Sequence, residues 1–472
     1  MDSLKQYLDL YRLNRPAIMN GSAEALNARR DEAYEMLTQS RLPEKGHEGY
    51  ERTSVNDMMA ADYGVNINRV AIPADIAASF RCDVPNMSTL MAVVVNDEFH
   101  PTRGLDERLP EGVLFMSLRE AARRHPELIT EHYGSIAPMS DTAVALNTML
   151  AQDGVLLYVP AGVKLERPLQ LVNIFSSPAS LMSARRMLII LGRGAEATLL
   201  VCDHTQDNVQ KYLSSEVIEI IAHDDSKFGF YCIEESSPET TRHSQLYARQ
   251  STRSDLRLGS MTLTCGTSRN EFHIDVPGHN CETLLAGMAI GSGRMHIDNN
   301  INLRHIGTHC HSNQLFKYVL DDESTGAFSG RINVTPEADF TDAYQTNRNM
   351  LASTSARMHS KPQLEIYNDD VKCSHGATTG QLDREALFYM RTRGIPEAEA
   401  RNMLMQAFMA DVIDTVSLEG LRDRLRHMVE KRFHGADTAC DNCAASCRDA
   451  VEKKLTDYGL RCRIITPRVS HP

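Results

Sequence analysis

Cys373 and His375 lie two residues apart in the run QLEIYNDDVKCSHGATTGQLD, Gln363 to Asp383. On an extended strand Val371, Cys373 and His375 share one face, because side chains alternate with a period of two. A thiol beside an imidazole offers sulfur and nitrogen donors suited to a soft metal or a sulfur species. The same pair is also compatible with a buried cysteine and a satisfied core histidine. Gly376 and Gly380 are expected to break the regular structure after it. A second constellation, Cys440, Cys443, Cys447 and Cys462, supplies four thiols of the kind that ligate zinc or an iron-sulfur cluster. A third, RHIGTHCHS, is expected to put His309 and His311 on one strand face with His305 nearby; its spacing matches metal ligation only loosely, and a structural or interface role is the simpler expectation.

The elements that hold these residues follow from length and composition. A chain of 472 residues, with 42% hydrophobic and 24% charged residues, is long enough for two or three units around a substantial core. The net charge of -12 and the lack of a basic arm argue against nucleic acid as a partner. MDSLKQYLDLYRLNRP has no secretory character, and no apolar run of about 18 residues offers a membrane span. The odd number of cysteines, 11, at irregular spacing reads as reduced thiols of a cytoplasmic protein.

The pattern divides the chain into four parts: a mainly helical region 1–150, a β region 151–380, a helical region 381–435 and a Cys-rich tail 436–472. In the first, Leu4, Tyr7, Leu8 and Tyr11 follow helical spacing, Ser117 and Glu120 form a capping-box pattern, and 70–95 has some strand character. From Gly154 to Tyr367 short β-branched runs alternate with Gly, Asp and Asn turns, as expected of a sandwich, a barrel or a stacked solenoid with strands of about five to seven residues. A β-helix fits best, since each coil buries its inner face only against its neighbours, although no strict short repeat is visible. After Asp383 the period turns helical, and Gly394 and Pro396 separate two helices. Leu404, Phe408 and Val412 form one stripe and Met405, Met409 and Ile413 another, so the helix is either buried in its own domain or presents a Met-rich surface to a partner.

The run QTNRNMLASTSARMHSKPQLEIYNDDVKCSHGATTGQLDREALFYMRTRGI is similar throughout to the hallmark segment of the SufB/SufD family of iron-sulfur cluster assembly proteins. LPEKGHEGYERT, GVLFMSLREAARRHPEL, LNTMLAQDGVLLYVPAGVKLERPLQLVNI and HSNQLFKYVLDDESTGAFSGRI agree in order, and the likeness extends to about Gly435. His375 is followed by Gly376 where SufB-like chains usually carry Glu, and no cysteine precedes Cys82, so the chain resembles the SufD branch. Tyr50 stands where the family often has Trp, which keeps an aromatic contact.

The resemblance implies a right-handed parallel β-helix between N-terminal and C-terminal helical regions, and a scaffold rather than an enzyme. It implies a SufB-like partner on the β-helix and a SufC-like ATPase on the helices from Leu382 to Val416, with Arg393, Met405, Phe408 and Met409 as docking residues. By the same likeness, Cys373 and His375 face SufB and share iron or a transient iron-sulfur cluster with it; a homodimer is the alternative pairing. No GxxxxGK[ST] loop is present, so nucleotide hydrolysis is expected from the partner. The tail lies beyond the likeness, and a stand-alone zinc or iron-sulfur protein using its four cysteines is the competing function. A carbohydrate-acting β-helix enzyme would need clustered acidic residues, whereas the charges here are scattered among turns.

Overall fold

The computed structural model describes residues 2–74 and 88–435. Two ten-stranded sheets face each other, and the chain passes from one to the other and back. From Gly154 to Gln381 this makes a parallel β-solenoid of about eight turns. Each strand pairs with the one a full turn later and not with its sequence neighbour: Glu282 is in register with His311, which is in register with Asp342. Most strands run 10 or 11 residues, longer than the apolar runs suggest. Short strands of the N-terminal region extend both sheets, Leu90–Val95 pairing parallel with Leu169–Phe175 and Leu114–Ser117 antiparallel with Gly154–Val159.

The lumen is filled by the inward face of every strand, with Phe228, Phe230, Phe272, Phe316 and Phe328 among its buried rings. Glycines admit this packing where rings crowd the wall: a Cβ on Gly287 would stand 2.2 Å from a ring carbon of Phe316. Charged groups also enter the lumen, but paired. Arg185 meets Asp203 at 2.8 Å and Arg242 meets Glu216 at 3.0 Å. A buried charge without its partner would be severely destabilising, so these pairs fix which strands can stack.

Helices cover the outer faces. Leu4–Asn20, Arg30–Thr38 and Thr142–Leu150 bury Leu4, Tyr11, Leu37 and Met149 against Met182, Ala184 and Leu213 of one sheet. The Asp141 carboxylate caps Thr142–Leu150 by accepting from the amides of Ala143 and Val144. Ser117 caps the helix that follows it by accepting from Glu120 N, as the sequence suggests. A strap then crosses the same sheet: Arg269 donates to the Gly49 carbonyl at 2.6 Å under the Tyr50 ring, and Lys361 bonds Glu51 at 2.6 Å.

Helices Glu397–Ile413 and Glu419–Phe433 cover the other sheet, seating Met405, Met409, Leu421 and Leu425 on Tyr231, Met261, Met288 and Val319. The buried Lys317 fastens them, donating to the Phe408 carbonyl at 2.8 Å, pairing with Asp411 and lying under the Phe408 ring. Two predictions test the packing. A Cβ on Gly154 would sit 1.9 Å from the Arg186 carbonyl oxygen, so Gly154→Ala should cost about 1–3 kcal/mol in denaturant unfolding. Burial pushes His305 down from 6.5 to about 4, so its contribution to stability is present above pH 6.5 and lost as pH falls through about 4; His305→Gln should flatten stability against pH in that window.

Candidate functional site

The last turn of the solenoid is formed by Arg357–Ile366 and Lys372–Gln381, each the terminal strand of its sheet. Among the described residues neither has a partner on its outer edge. Lys372–Gln381 pairs in parallel with Asp342–Leu351, which places Cys373 beside Ala343, His375 beside Gln345 and Thr379 beside Asn349. Ala343 is buried in the lumen and Cys373 packs against the same cluster, so the cysteine lies on the inward face. His375, two residues on, falls on that face too, and it is exposed because no further turn covers it.

Gly376 and Gly380 do not break the strand, which continues to Gln381. A Cβ built on either would meet nothing within 4 Å. The missing neighbour is the physical reason: at this end glycine leaves the backbone accessible instead of ending the element. Burial raises the Cys373 thiol above its ordinary value, and the nearby Asp342 adds to it, so the sulfur is held as a thiol.

Under the last turn lies a polar floor of amides. Gln345 donates to Gln314 Oε1 at 2.7 Å, while Asn349 donates to Asn347 Oδ1 at 2.7 Å and to Thr379 Oγ1 at 3.2 Å. Ser360, from the opposite strand, donates to Asn347 Oδ1 at 2.7 Å. All four amides are buried, and Gln314 Nε2, Gln345 Oε1 and Asn349 Oδ1 have no hydrogen-bond partner among the described residues. Gln345, Asn347 and Asn349 alternate with Thr346 and Arg348 in the sequence. That period-two stripe of amides was the available signal, and apolar patterning passes over it.

The other candidate residues are placed differently. His309 occupies a turn with φ 57° and packs its ring at a tilt against Phe340, so it does not share a strand face with His311. His305 is buried with its Nε2 2.9 Å from Ser312 Oγ, and no cluster among the described residues could hold a metal ion. The reason is the corner: between His305 and His311 the chain turns from one sheet to the other, and the alternation of a single strand is lost. Cys440, Cys443, Cys447 and Cys462 lie outside the described residues.

Of the proposed docking residues, Met405 and Met409 are buried against the solenoid, and Phe408 is half-buried over Lys317. The wide apolar surface of that helix is therefore used within the chain. Arg393 is exposed, its guanidinium over the Tyr389 ring at 5.0 Å. It belongs to a surface that Met405 and Met409 do not share: helix Arg384–Thr392 has no buried residue, with Phe388 68% and Tyr389 58% exposed. No described helix is long and apolar enough to cross a membrane.

Comparison with known proteins agrees with this architecture. Residues 174–408 match the SufBD core domain of the SUF system of FeS cluster assembly, and residues 1–171 match the SufBD protein N-terminal region. An iron-sulfur cluster assembly SufBD family protein of Synechocystis is 27% identical over 90% of this chain and 95% of its own length. The iron-sulfur cluster assembly protein SufD of Escherichia coli is 26% identical over 85% of this chain and 92% of its own. The SufD protein of Bacillus subtilis is 25% identical over 68% of this chain and 74% of its own. A parallel solenoid flanked by helices, with both family regions matched in order along residues 1–408, places the chain in the SufB/SufD family of iron-sulfur cluster assembly proteins.

Proposed function

We propose that the protein is a SufD-type scaffold subunit whose open last turn pairs with a SufB-like subunit to complete a shared site. The observation that carries this reading is the unpaired edge of Lys372–Gln381, with Cys373 and His375 on its inward face. A parallel solenoid end exposes backbone donors and acceptors together with an uncovered lumen, and a second solenoid end can satisfy both. The His375 imidazole and the Cys373 sulfur then act as donors to iron or a nascent iron-sulfur cluster, the cargo of the assembly. A raised thiol binds metal poorly until it loses its proton, so the partner has to supply positive charge, iron included, at Cys373.

The same reading assigns helix Arg384–Thr392 to a SufC-like ATPase. Its exposed Phe388 and Tyr389, with Arg393, provide apolar and cationic contact area not used by the chain's own core. Met403 on the next helix is also exposed, at 43%, whereas Met405 and Met409 are buried against the solenoid and leave contact to the residues around them. The sequence has no phosphate-binding loop, in keeping with a scaffold that does not hydrolyse nucleotide itself.

Co-expression tests the reading: the chain should co-purify with SufB-like and SufC-like partners, and failure to join either would sink it. His375→Ala should leave the complex intact and lower the yield of assembled cluster by about tenfold or more, read from the visible absorption of the purified complex. Unchanged yield would remove His375 from the site. Phe388→Asp should release the ATPase and keep the SufB-like subunit; retention of the ATPase would move its docking surface elsewhere.

A further inference from the structure

Cys281 and Cys310 immediately precede two strands, Glu282–Gly291 and His311–Leu320, that lie side by side on consecutive turns. His311 N donates to the Cys281 carbonyl at 2.8 Å, so the ladder extends to the cysteines and holds them in register. Neighbouring strands are about 4.8 Å apart. That separation falls within the roughly 4.4–6.8 Å that a disulfide spans between Cα atoms. Both cysteines belong to the inward-facing core cluster, so their side chains leave adjacent turns toward the same side. Both are buried, yet each is next to an exposed corner residue, Asn280 or His309.

The corner column gives the structural counterpart. On other turns the same place is held by Ser226, Ser254 and Thr341, whose hydroxyls donate to the carbonyls of His223, Ser251 and Ala338. The Cys281 and Cys310 thiols instead donate to carbonyls of the preceding turn, Ser251 at 3.1 Å and Gly278 at 3.2 Å. What hydroxyls cannot do is couple to one another, and thiols stand on two adjacent turns.

We propose that Cys281 and Cys310 are a peroxide-reactive dithiol that closes to a disulfide across two adjacent turns of the solenoid. The Cys281 sulfur is the attacking group. The neighbouring Cys310 thiol and Ser254, whose Oγ lies 3.8 Å from the sulfur, lower Cys281, whereas proximity to Cys281 and burial raise Cys310. The Cys281 thiolate attacks one oxygen of hydrogen peroxide and the O–O bond breaks, giving a sulfenic acid and, after proton uptake, water. The Cys310 sulfur then attacks the sulfenic sulfur, the S–O bond breaks, and the Cys310 proton leaves with the hydroxyl as a second water. Two thiols lose two electrons and two protons, and one peroxide is reduced to two waters. A small oxidant is required because the pair is covered by its corner, and a bulky disulfide reagent has no approach. The site is separate from Cys373 and does not depend on the scaffold reading.

The test uses the full chain, treated with hydrogen peroxide at pH 8, alkylated under denaturing conditions and digested with trypsin without reduction. Arg294 and Arg304 lie between the two cysteines, so they fall in different peptides. The expected result is a Cys281–Cys310 linked peptide pair that disappears on reduction, while buried Cys202 and Cys265 stay alkylatable. In Cys281→Ser the link should vanish and Cys310 should remain alkylatable under the same dose, with circular dichroism reporting an intact fold. Recovery of both thiols alkylated, their conversion to sulfinic acid without a link, or linkage of either to another cysteine would overturn the proposal.

Discussion

Parallel stacking of one turn on the next is the constraint on which the rest of this molecule depends. A strand here bonds to strands a full turn before and after it, and its inward side chains are buried only if both neighbours are present. Every turn within the stack meets that requirement. The final one meets half of it, with Asp342–Leu351 beneath Lys372–Gln381 and nothing above among the described residues. The exposure of His375, the open space around Gly376 and Gly380 and the half-burial of Cys373 all follow from that missing neighbour. An open solenoid end is a place where a chain either aggregates or meets an intended partner.

The helices on either outer face serve the same constraint by shielding the sheets along their length. They also explain why candidate docking residues separate into two groups. Met405 and Met409 are committed to Met261, Met288 and Val319 beneath them, and Lys317 locks the helix in place through Asp411 and the Phe408 carbonyl. Helix Arg384–Thr392 has no such commitment, and its aromatic residues face solvent beside the end of the stack. Only Leu382 and Asp383 separate the last strand of the stack from this helix.

Much of this was legible in the residues. The change from helical to β-rich character at Gly154, the return to helix after Asp383 and the inward-facing pair Cys373 and His375 are all set by local period. Strand length was less legible, because lumen positions such as Glu216, Arg242 and Asn270 are polar, and they interrupt the apolar alternation where the strand itself continues. The charges there are tolerated only through partners a turn or more away, such as Arg242 with Glu216 and Asp203, and such pairings have no local signature. The histidines at 305, 309 and 311 looked adjacent in sequence but are divided by a corner with positive φ at His309. The methionine stripe looked wider than one packed face because the helix it lies on serves both the solenoid and the helix that follows it.

If, as proposed, a SufB-like solenoid completes the exposed edge of the last turn, amide hydrogen exchange along that edge registers it. In the free chain the amides of residues 372–381 should exchange faster than those of residues 342–351, which have neighbours on both sides. On addition of the SufB-like subunit the amides of 372–381 should become protected to a comparable degree. A complex that forms while these amides exchange as fast as in the free chain would contradict the account.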